Sequence, residues 1–421
     1  MKARDLPGNV MTLVLLLVLA LPATAATDTA AHEARIRELE AKVARLEALL
    51  GQPISEPDHP TLHDETGIKI GGYVKMDGLI SDYSNAPTRG AGEDFFIPST
   101  ISTSGEPGDP RLNLHAKETR FWLKSLTPTE RGDITTHFEI DFMLGQQGNE
   151  RVGNSYSPRI RHASVSWDRW TVGQTWTNFF NTTVLPEYMD FIGPVGVTFA
   201  RQAQVRYTAP TANGSWSFSL ENPETTLTPY GGGPRIDADD SSVPDLVVRR
   251  NWTGDWGNIS IAGLVRELKI NEMGRDDSEV GAAISVAGKF ELSDGDDVRW
   301  QVNYGNALGR YMGLNSFNVG ALDATNKIVL TRQYGVLVAY KHLWTNRLHS
   351  SVGASLSGAA NDTAISGFAV PKNYQSAHAD IVWSPIDRMS LGAEYIWGRR
   401  EDESGDDGTL NRLQFSAKYL Y

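Results

Sequence analysis

From Thr66 to the C-terminus the sequence alternates between apolar and polar positions. The clearest run is Asp133–Phe142. Ile134, Thr136, Phe138, Ile140 and Phe142 fall on one parity, and Asp133, Thr135, His137, Glu139 and Asp141 on the other. A period of two marks a strand with two different faces. Val280–Leu292 repeats it, as do Val298–Tyr304, Tyr334–Tyr340, Ala377–Trp383 and Met389–Trp397. The carboxylates on one face of Asp133–Phe142 are costly in a sandwich core and harmless against water. The last residues, Leu413–Tyr421, set Leu413, Phe415, Ala417, Tyr419 and Tyr421 against Gln414, Ser416 and Lys418. Chain ends usually fray. An aromatic two-faced strand running to the last residue suits the closing strand of a barrel, which must remove two edges at once. Taken alone, the stretch also fits an edge strand of a soluble sandwich.

Marking every such run predicts about sixteen strands, near residues 67–81, 112–125, 132–144, 159–167, 169–179, 200–208, 214–221, 244–252, 257–267, 279–292, 297–308, 330–342, 347–358, 374–384, 387–398 and 409–421. The connections alternate in length. Long ones lie near residues 82–111, 145–158, 180–199, 222–243, 268–278, 309–329, 359–373 and 399–408. Short ones include Thr127–Gly132, Ala209–Gly214, Thr253–Gly257, Ser293–Asp297, Thr345–Arg347 and Ser384–Asp387. Tight turns at one rim, long loops at the other and an even strand count predict an all-β transmembrane barrel in an up-and-down meander. A Greek-key sandwich does not give this alternation. In that barrel Leu413–Tyr421 pairs with Gly67–Ser81, and Phe415, Tyr419 and Tyr421 belong to its closing strand.

The N-terminal part reads differently. Met1–Ala25 has a basic start at Lys2 and Arg4, an apolar Val10–Leu21 and an A-x-A site at Ala23–Ala25. This is the pattern of a secretory signal peptide, with a membrane anchor as the alternative. Residues 26–50 follow as a periplasmic coiled-coil segment. Ile36, Leu39, Val43, Leu46 and Leu50 are spaced alternately by three and four, an a/d seam. So short a helix needs a partner in water, which points to oligomerisation through this seam or to packing on its own domain. Residues 51–66 form a Pro-rich linker, and 67–421 the barrel.

Composition narrows the functions. With no cysteine there is no disulfide, thiolate metal site or cysteine nucleophile. The mean hydropathy of −0.33 argues against a helical membrane protein. Barrels escape that measure because half of each strand is polar. A formal charge of −12 argues against nucleic acid as the main partner. The 40 Gly, 11 Trp and 14 Tyr suit many turns and two aromatic girdles.

Several segments together resemble the DcaP-like trimeric porins of Gram-negative bacteria. They are Ile36–Leu50, Ile68–Asp77 (IKIGGYVKMD), Asp94–Ser99 (DFFIPS), Thr119–Lys124 (TRFWLK), Val172–Phe180 (VGQTWTNFF) and the aromatic C-terminus. No single segment is specific; order and spacing carry the match over almost all of the chain after the signal. The resemblance implies a sixteen-stranded homotrimeric channel in the outer membrane, a periplasmic coiled coil, and small anionic solutes, notably dicarboxylates.

The residues add a reading of the lumen. Asn181–Phe199 is apolar for a long loop, with only Glu187 and Asp190 charged. It is expected to fold inward and constrict the pore, with a trimer contact as the alternative. Parity places Lys75, Arg120, Lys124, Arg206, Arg266, Lys289, Arg299, Lys341, Arg388, Arg412 and Lys418 inward. The inward acids are Asp77, Glu118, Asp133, Glu139, Asp141, Glu291, Asp380 and Glu394. Arg159, Arg161, Arg201, Arg249 and Arg250 lie on runs whose parity is blurred. Arg120, Arg206 and Arg266, with Arg161 and Arg201, are the expected arginines of the narrow zone, because a planar guanidinium fork can hand on a carboxylate. The alternative is that they pair with Glu139, Asp141 and Glu118 and stiffen the wall.

No cofactor and no metal site is expected. Asp294–Asp297 (DGDD) lacks the full calcium-loop pattern. A barrel hydrolase would need a nucleophile near a histidine and an acid; His137 with Glu139 and Asp141 is the nearest cluster, and no G-x-S-x-G motif accompanies it. A structural tether, with possible peptidoglycan contact through the coiled coil, is the remaining rival. Outer-membrane lipid is expected around the barrel.

Overall fold

The structure is a computed structural model. It describes residues 37–39, 41–42, 66–144, 153–272, 274–292 and 295–421. The chain divides into two units, Met1–Asp64 and Glu65–Tyr421. Of the first, residues 37–39 and 41–42 are helical, and Leu39 is exposed. Ile36, Val43, Leu46 and Leu50 lie outside the described residues.

The second unit begins with β1 (Gly67–Tyr83), β2 (Arg111–His115), β3 (Arg120–Thr127), β4 (Ile134–Asp141), β5 (Arg159–Trp167), β6 (Trp170–Trp176), β7 (Arg201–Thr211) and β8 (Gly214–Glu221). After two short strands, β9 (Thr225–Thr228) and β10 (Ile236–Ala238), come β11 (Asp245–Gly254), β12 (Gly257–Glu272), β13 (Arg275–Glu291) and β14 (Asp297–Gly305). Two more short strands follow, β15 (Gly320–Leu322) and β16 (Ile328–Leu330). The chain ends with β17 (Arg332–Thr345), β18 (Leu348–Ala360), β19 (Pro371–Trp383), β20 (Met389–Asp402) and β21 (Asp407–Leu420).

Seventeen of these form one sheet. β2 and β3 both pair antiparallel with β1, one against Asp77–Ser81 and the other against Gly67–Tyr73, so they are two halves of one stave. The sheet thus has sixteen positions, and β1 pairs with β21 to close it, from Tyr73↔Leu420 to Tyr83↔Leu410. Every predicted strand has its counterpart. The run near 112–125 is the one that breaks. At Ala116–Thr119 the Thr119 hydroxyl takes over from the backbone, accepting from Lys75 N–H (3.2 Å) and donating to Lys75 C=O (3.3 Å). Its neighbour Glu118 accepts from Lys75 Nζ and from the Tyr73 hydroxyl (2.9 Å). A buried lysine is expensive without a carboxylate, and meeting it costs the stave its continuity.

Two other departures concern the long-loop rim. β12 and β13 extend to Glu272 and Arg275, so the predicted loop near 268–278 is largely a hairpin. The connections after β8 and β14 build a second sheet, β10-β9-β15-β16, over Leu227, Leu268, Ile270, Val319 and Leu322. Strands of three or four residues are too short to show a period.

The barrel is inside out relative to a soluble protein. Ile70, Val74, Leu220, Val265, Val280, Val338, Val352, Leu413, Phe415 and Tyr419 are exposed on its outer face. Asp77, Asp141, Gln301, Asn303, Glu394, Arg266 and Arg412 are buried. Beside the short turns Trp167, Trp170, Trp216, Trp256, Trp344 and Trp383 are exposed outward, where amphipathic rings suit a membrane interface. Tyr421 N–H donates to Gly72 C=O (3.2 Å) and its hydroxyl to Arg120 C=O (3.3 Å), which fixes the end of the closing strand. Arg388 stands in a short turn at φ 67° and not on a strand face.

At the same rim Asp296 fastens the β13–β14 turn to β17. It accepts from the Tyr340 hydroxyl (2.5 Å), Leu343 N–H (2.8 Å) and His342 Nδ1 (2.9 Å). In that order these bonds hold its carboxyl at about 2, below the ordinary 3.8. A depressed carboxyl stabilises above its unfolded value and loses that contribution as pH falls through the folded one. Exchange of the Leu343 amide is therefore expected to accelerate as pH drops from about 4 towards 2, after correction for intrinsic rates. Asp296→Asn should show the fast rate throughout, as read by hydrogen–deuterium exchange.

Candidate solute pathway

The connection between β6 and β7 does not leave the barrel. Phe180, Val184, Phe191, Ile192, Val197 and Phe199 are buried and cluster with Phe95 from the β1–β2 connection and with Ala287, Leu337 and Ala339 of the wall. Its backbone is seated on inward side chains one after another. Asn181 Nδ2 donates to Asn258 Oδ1 (2.6 Å) and Ser260 Oγ (2.9 Å). Thr198 N–H donates to Gln301 Oε1 (3.1 Å), Gly196 N–H to Ser355 Oγ (2.8 Å) and Val195 N–H to Ser376 Oγ (3.3 Å). Met189 C=O accepts from Lys75 Nζ (2.6 Å) and Gln414 Nε2 (3.1 Å). These partners stand on β12, β14, β18, β19, β21 and β1. The segment therefore follows the inner wall across that side of the barrel.

Gly196 makes the closest approach. A Cβ there would lie 2.6 Å from Leu356 O and 2.7 Å from Val336 N. Opposite, a Cβ on Gly335 would lie 2.6 Å from Gly196 O. Two glycines let loop and wall backbones touch.

Glu187 and Asp190 both work as anchors. Glu187 bridges Arg299 Nη2 and Lys341 Nζ, each at 2.7 Å. Burial pushes its carboxyl up, but hydrogen bonds from Lys341 and Arg299 outweigh burial and hold it at about 2. Asp190 accepts from Phe96 N–H (2.8 Å), Gly193 N–H (2.9 Å) and Ile192 N–H (3.2 Å). Its own N–H donates to Glu394 Oε2 (2.7 Å), and Glu394 Oε1 meets His378 Nδ1 (2.7 Å) under the Tyr188 ring.

The loop leaves the β3–β7 wall facing it, and there the arginines gather. Arg161 reaches Glu139 (2.6 Å) and Asp141 (2.7 Å), Arg159 reaches Asp141 (2.8 Å), and Arg120 lies 3.4 Å from Glu139. Arg161 and His162 both turn inward because the register shifts between Glu139 and Ile140. His162 then stacks on His137 at 4.8 Å. Arg201 lies over Trp176 (4.3 Å) and Phe199 (5.3 Å), with a buried Nη1 that has no hydrogen-bond partner. Arg206 donates to Trp176 C=O and to Gln204 Oε1 (2.6 Å), and Arg249 donates to Phe180 C=O (2.5 Å). Among the described residues Arg201, Arg206 and Arg249 have no carboxylate within 4.0 Å. Arg159, Arg201, Arg310, Phe191, Phe199 and Leu314 line a cavity of about 420 Å³.

The sequence-predicted residues therefore divide. Arg120, Arg161 and Arg201 belong to the wall opposite the loop. Arg206 carries the start of the loop through Trp176. Arg266 is sealed elsewhere, 3.1 Å from Asp245 and against the Ala307 and Glu224 carbonyls beneath Tyr311. The long side chain of Arg266 is needed to neutralise a carboxylate under the β14–β17 connection, so it is covered by protein. Gly196, Glu394 and the Glu187 partners were not singled out in the sequence. Parity put Glu394, Arg299 and Lys341 inward, but nothing in the sequence says which loop residue meets which wall residue.

A closed barrel of sixteen staves, apolar outside and polar inside, with a connection folded against its inner wall, has the architecture of the outer-membrane porins. The DcaP outer membrane protein family matches residues 41–421, and the chain belongs to that family. Its fold is similar to the crystal structure of the outer membrane channel DcaP of Acinetobacter baumannii, with a TM-score of 0.73 and 23% identity over 86% of this chain and 99% of that one. It is also similar to an anion-selective porin from Comamonas acidovorans (TM-score 0.52, 10% identity, 85% and 100% covered). A trimer form of OmpT from Vibrio cholerae gives a TM-score of 0.53 and 12% identity, with 85% and 100% covered. No curated protein matched the sequence.

The Gly196 contact yields a direct expectation. In Gly196→Leu the loop must lift off β17 and β18, because the wall atoms it meets are backbone and cannot rotate away. Single-channel recording should show a conductance changed by about twofold or more and noisier than wild type, while heat-modifiable migration on gels shows an intact barrel.

Proposed function

We propose that the protein is a porin, a water-filled channel through the outer membrane for passive diffusion of small hydrophilic solutes, with a preference for small anions such as dicarboxylates. The observation that carries this reading is the charge imbalance beside the loop. Arg120, Arg159 and Arg161 share Glu139 and Asp141, Arg201 rests on aromatic rings with no carboxylate within 4.0 Å among the described residues, and Arg206 and Arg249 hang from carbonyls. A cleft with an excess of one sign and low-dielectric walls concentrates the opposite ion, and rings of Arg or Lys select anions. The chain as a whole carries −12, so the preference arises locally and against the net charge.

Arg201 is central to the proposal. Its guanidinium is held flat by aromatic faces with donors to spare, so a passing carboxylate meets a fork that no protein acid occupies. Arg120, Arg161 and Arg206 line the same route, and Glu187 and Asp190 hold the loop that narrows it. Three copies joined through their walls, with the a/d seam of Ile36, Leu39, Val43, Leu46 and Leu50 pairing in the periplasm, complete the assembly. Contact with peptidoglycan is a role that seam can add to a channel.

In planar bilayers under a KCl gradient, the wild-type reversal potential should have the sign of chloride permeation. Arg201→Gln with Arg206→Gln should move it towards zero. Clear cation preference in the wild type would contradict the proposal, as would an unchanged potential in the double variant.

A further inference from the structure

Arg250 points the other way from the lumen-facing arginines above. Along β11, Leu246, Val248, Arg250 and Trp252 share the outer face, while Val247 is fully buried inward and Arg249 reaches the loop at Phe180. Across the ladders Arg250 sits opposite Trp216 on β8 and Ile261 on β12, both exposed outward. It is an arginine on the lipid-facing wall. A cation there is costly at the bilayer midplane and tolerated near the interface. Arg250 is close to the short-turn rim, four residues from the end of β11 at Gly254, and in outer-membrane barrels that rim faces the periplasm.

The side chain has a built seat. Its guanidinium lies 4.9 Å from the Trp252 ring centroid and 5.7 Å from that of Trp216. Nη1 donates to Thr211 Oγ1 (2.8 Å) at the end of β7 and Nη2 to Asn213 Oδ1 (2.7 Å) in the β7–β8 turn. The residue is only 9% exposed. Both acceptors are neutral, and among the described residues no carboxylate lies within 4.0 Å of it. The seat fixes the direction of the guanidinium and leaves its charge unanswered. Two of the five N–H donors are used.

We propose that Arg250, with Trp216 and Trp252, binds the phosphate of a phospholipid in the periplasm-facing leaflet. An arginine fork suits a phosphodiester because it can donate two parallel bonds to it. Tryptophans at headgroup depth give the glycerol and the first methylenes an amphipathic wall. The site rests on the membrane placement of the barrel and is independent of what passes through the lumen.

The test is lipid retention by the full-length protein in detergent, followed by native mass spectrometry. The probes are phosphatidylglycerol, diacylglycerol of the same chains, and inorganic phosphate. Wild type should hold phosphatidylglycerol about tenfold more tightly than Arg250→Gln, the size of one charge-assisted hydrogen bond. Arg250→Lys should fall between, and inorganic phosphate should neither displace the lipid nor bind measurably. If Arg250→Gln does not fold, quenching of wild-type tryptophan by brominated phosphatidylglycerol against brominated diacylglycerol reads the same preference. Equal retention by wild type and Arg250→Gln overturns the proposal, and so does equal binding of diacylglycerol, which would leave an aromatic girdle alone. Competition by free phosphate would show an anion site with no lipid specificity. Loss of oligomers in Arg250→Gln with unchanged lipid binding would make this wall a subunit contact.

Discussion

In hydrocarbon an unpaired backbone N–H or C=O costs several kcal/mol, so a sheet that crosses a membrane must have no edge. The ladder between β1 and β21 meets that requirement, and the rest of the structure depends on it. Closure turns one face of every stave towards lipid and the other towards an enclosed lumen. It explains why Leu413, Phe415 and Tyr419 are exposed while Arg412, Gln414 and Ser416, their immediate neighbours, are buried. It also explains the one broken stave. Between β2 and β3 the ladder is replaced by side chains, with Thr119 bonding to both backbone groups of Lys75.

An enclosed lumen lined with charge brings a second constraint, since each charge needs water or a partner. On the side covered by the inward loop several charges are paired, from Lys75 with Glu118 and Asp77 to Arg299 with Glu187 and Asp297. Where the loop begins and ends, three arginines have no such acid within 4.0 Å among the described residues. Arg201, Arg206 and Arg249 are held by aromatic rings and carbonyls. The loop thus does two things at once. It narrows the lumen, and its Glu187 neutralises Arg299 and Lys341, while the arginines at its two ends are met by rings and carbonyls.

How much of this the sequence held follows from the range of each interaction. Strand faces depend on the parity of single runs, so all sixteen staves, the closing pair and the inward facing of Arg120, Arg299, Arg412 and Glu394 were legible. The apolar character of Asn181–Phe199 marked it for burial. Parity failed where geometry departs from a regular ladder. The shift between Glu139 and Ile140 turns both Arg161 and His162 inward. Contacts between loop and wall were not legible either. Gly196 against Gly335, or Asp190 against Glu394, joins residues more than a hundred positions apart. Arg266 was misleading for the same reason, because its cover comes from a connection distant in sequence.

Charge left unpaired beside the inward loop should favour anions, and one measurement reads that consequence with solutes of matched size. Proteoliposomes containing the protein are placed in isosmotic solutions of a four-carbon dicarboxylate and, separately, of a four-carbon diammonium salt, with counterions supplied by their own ionophores. Faster swelling in the dicarboxylate is the predicted result. Equal rates, or faster entry of the diammonium ion, would contradict it.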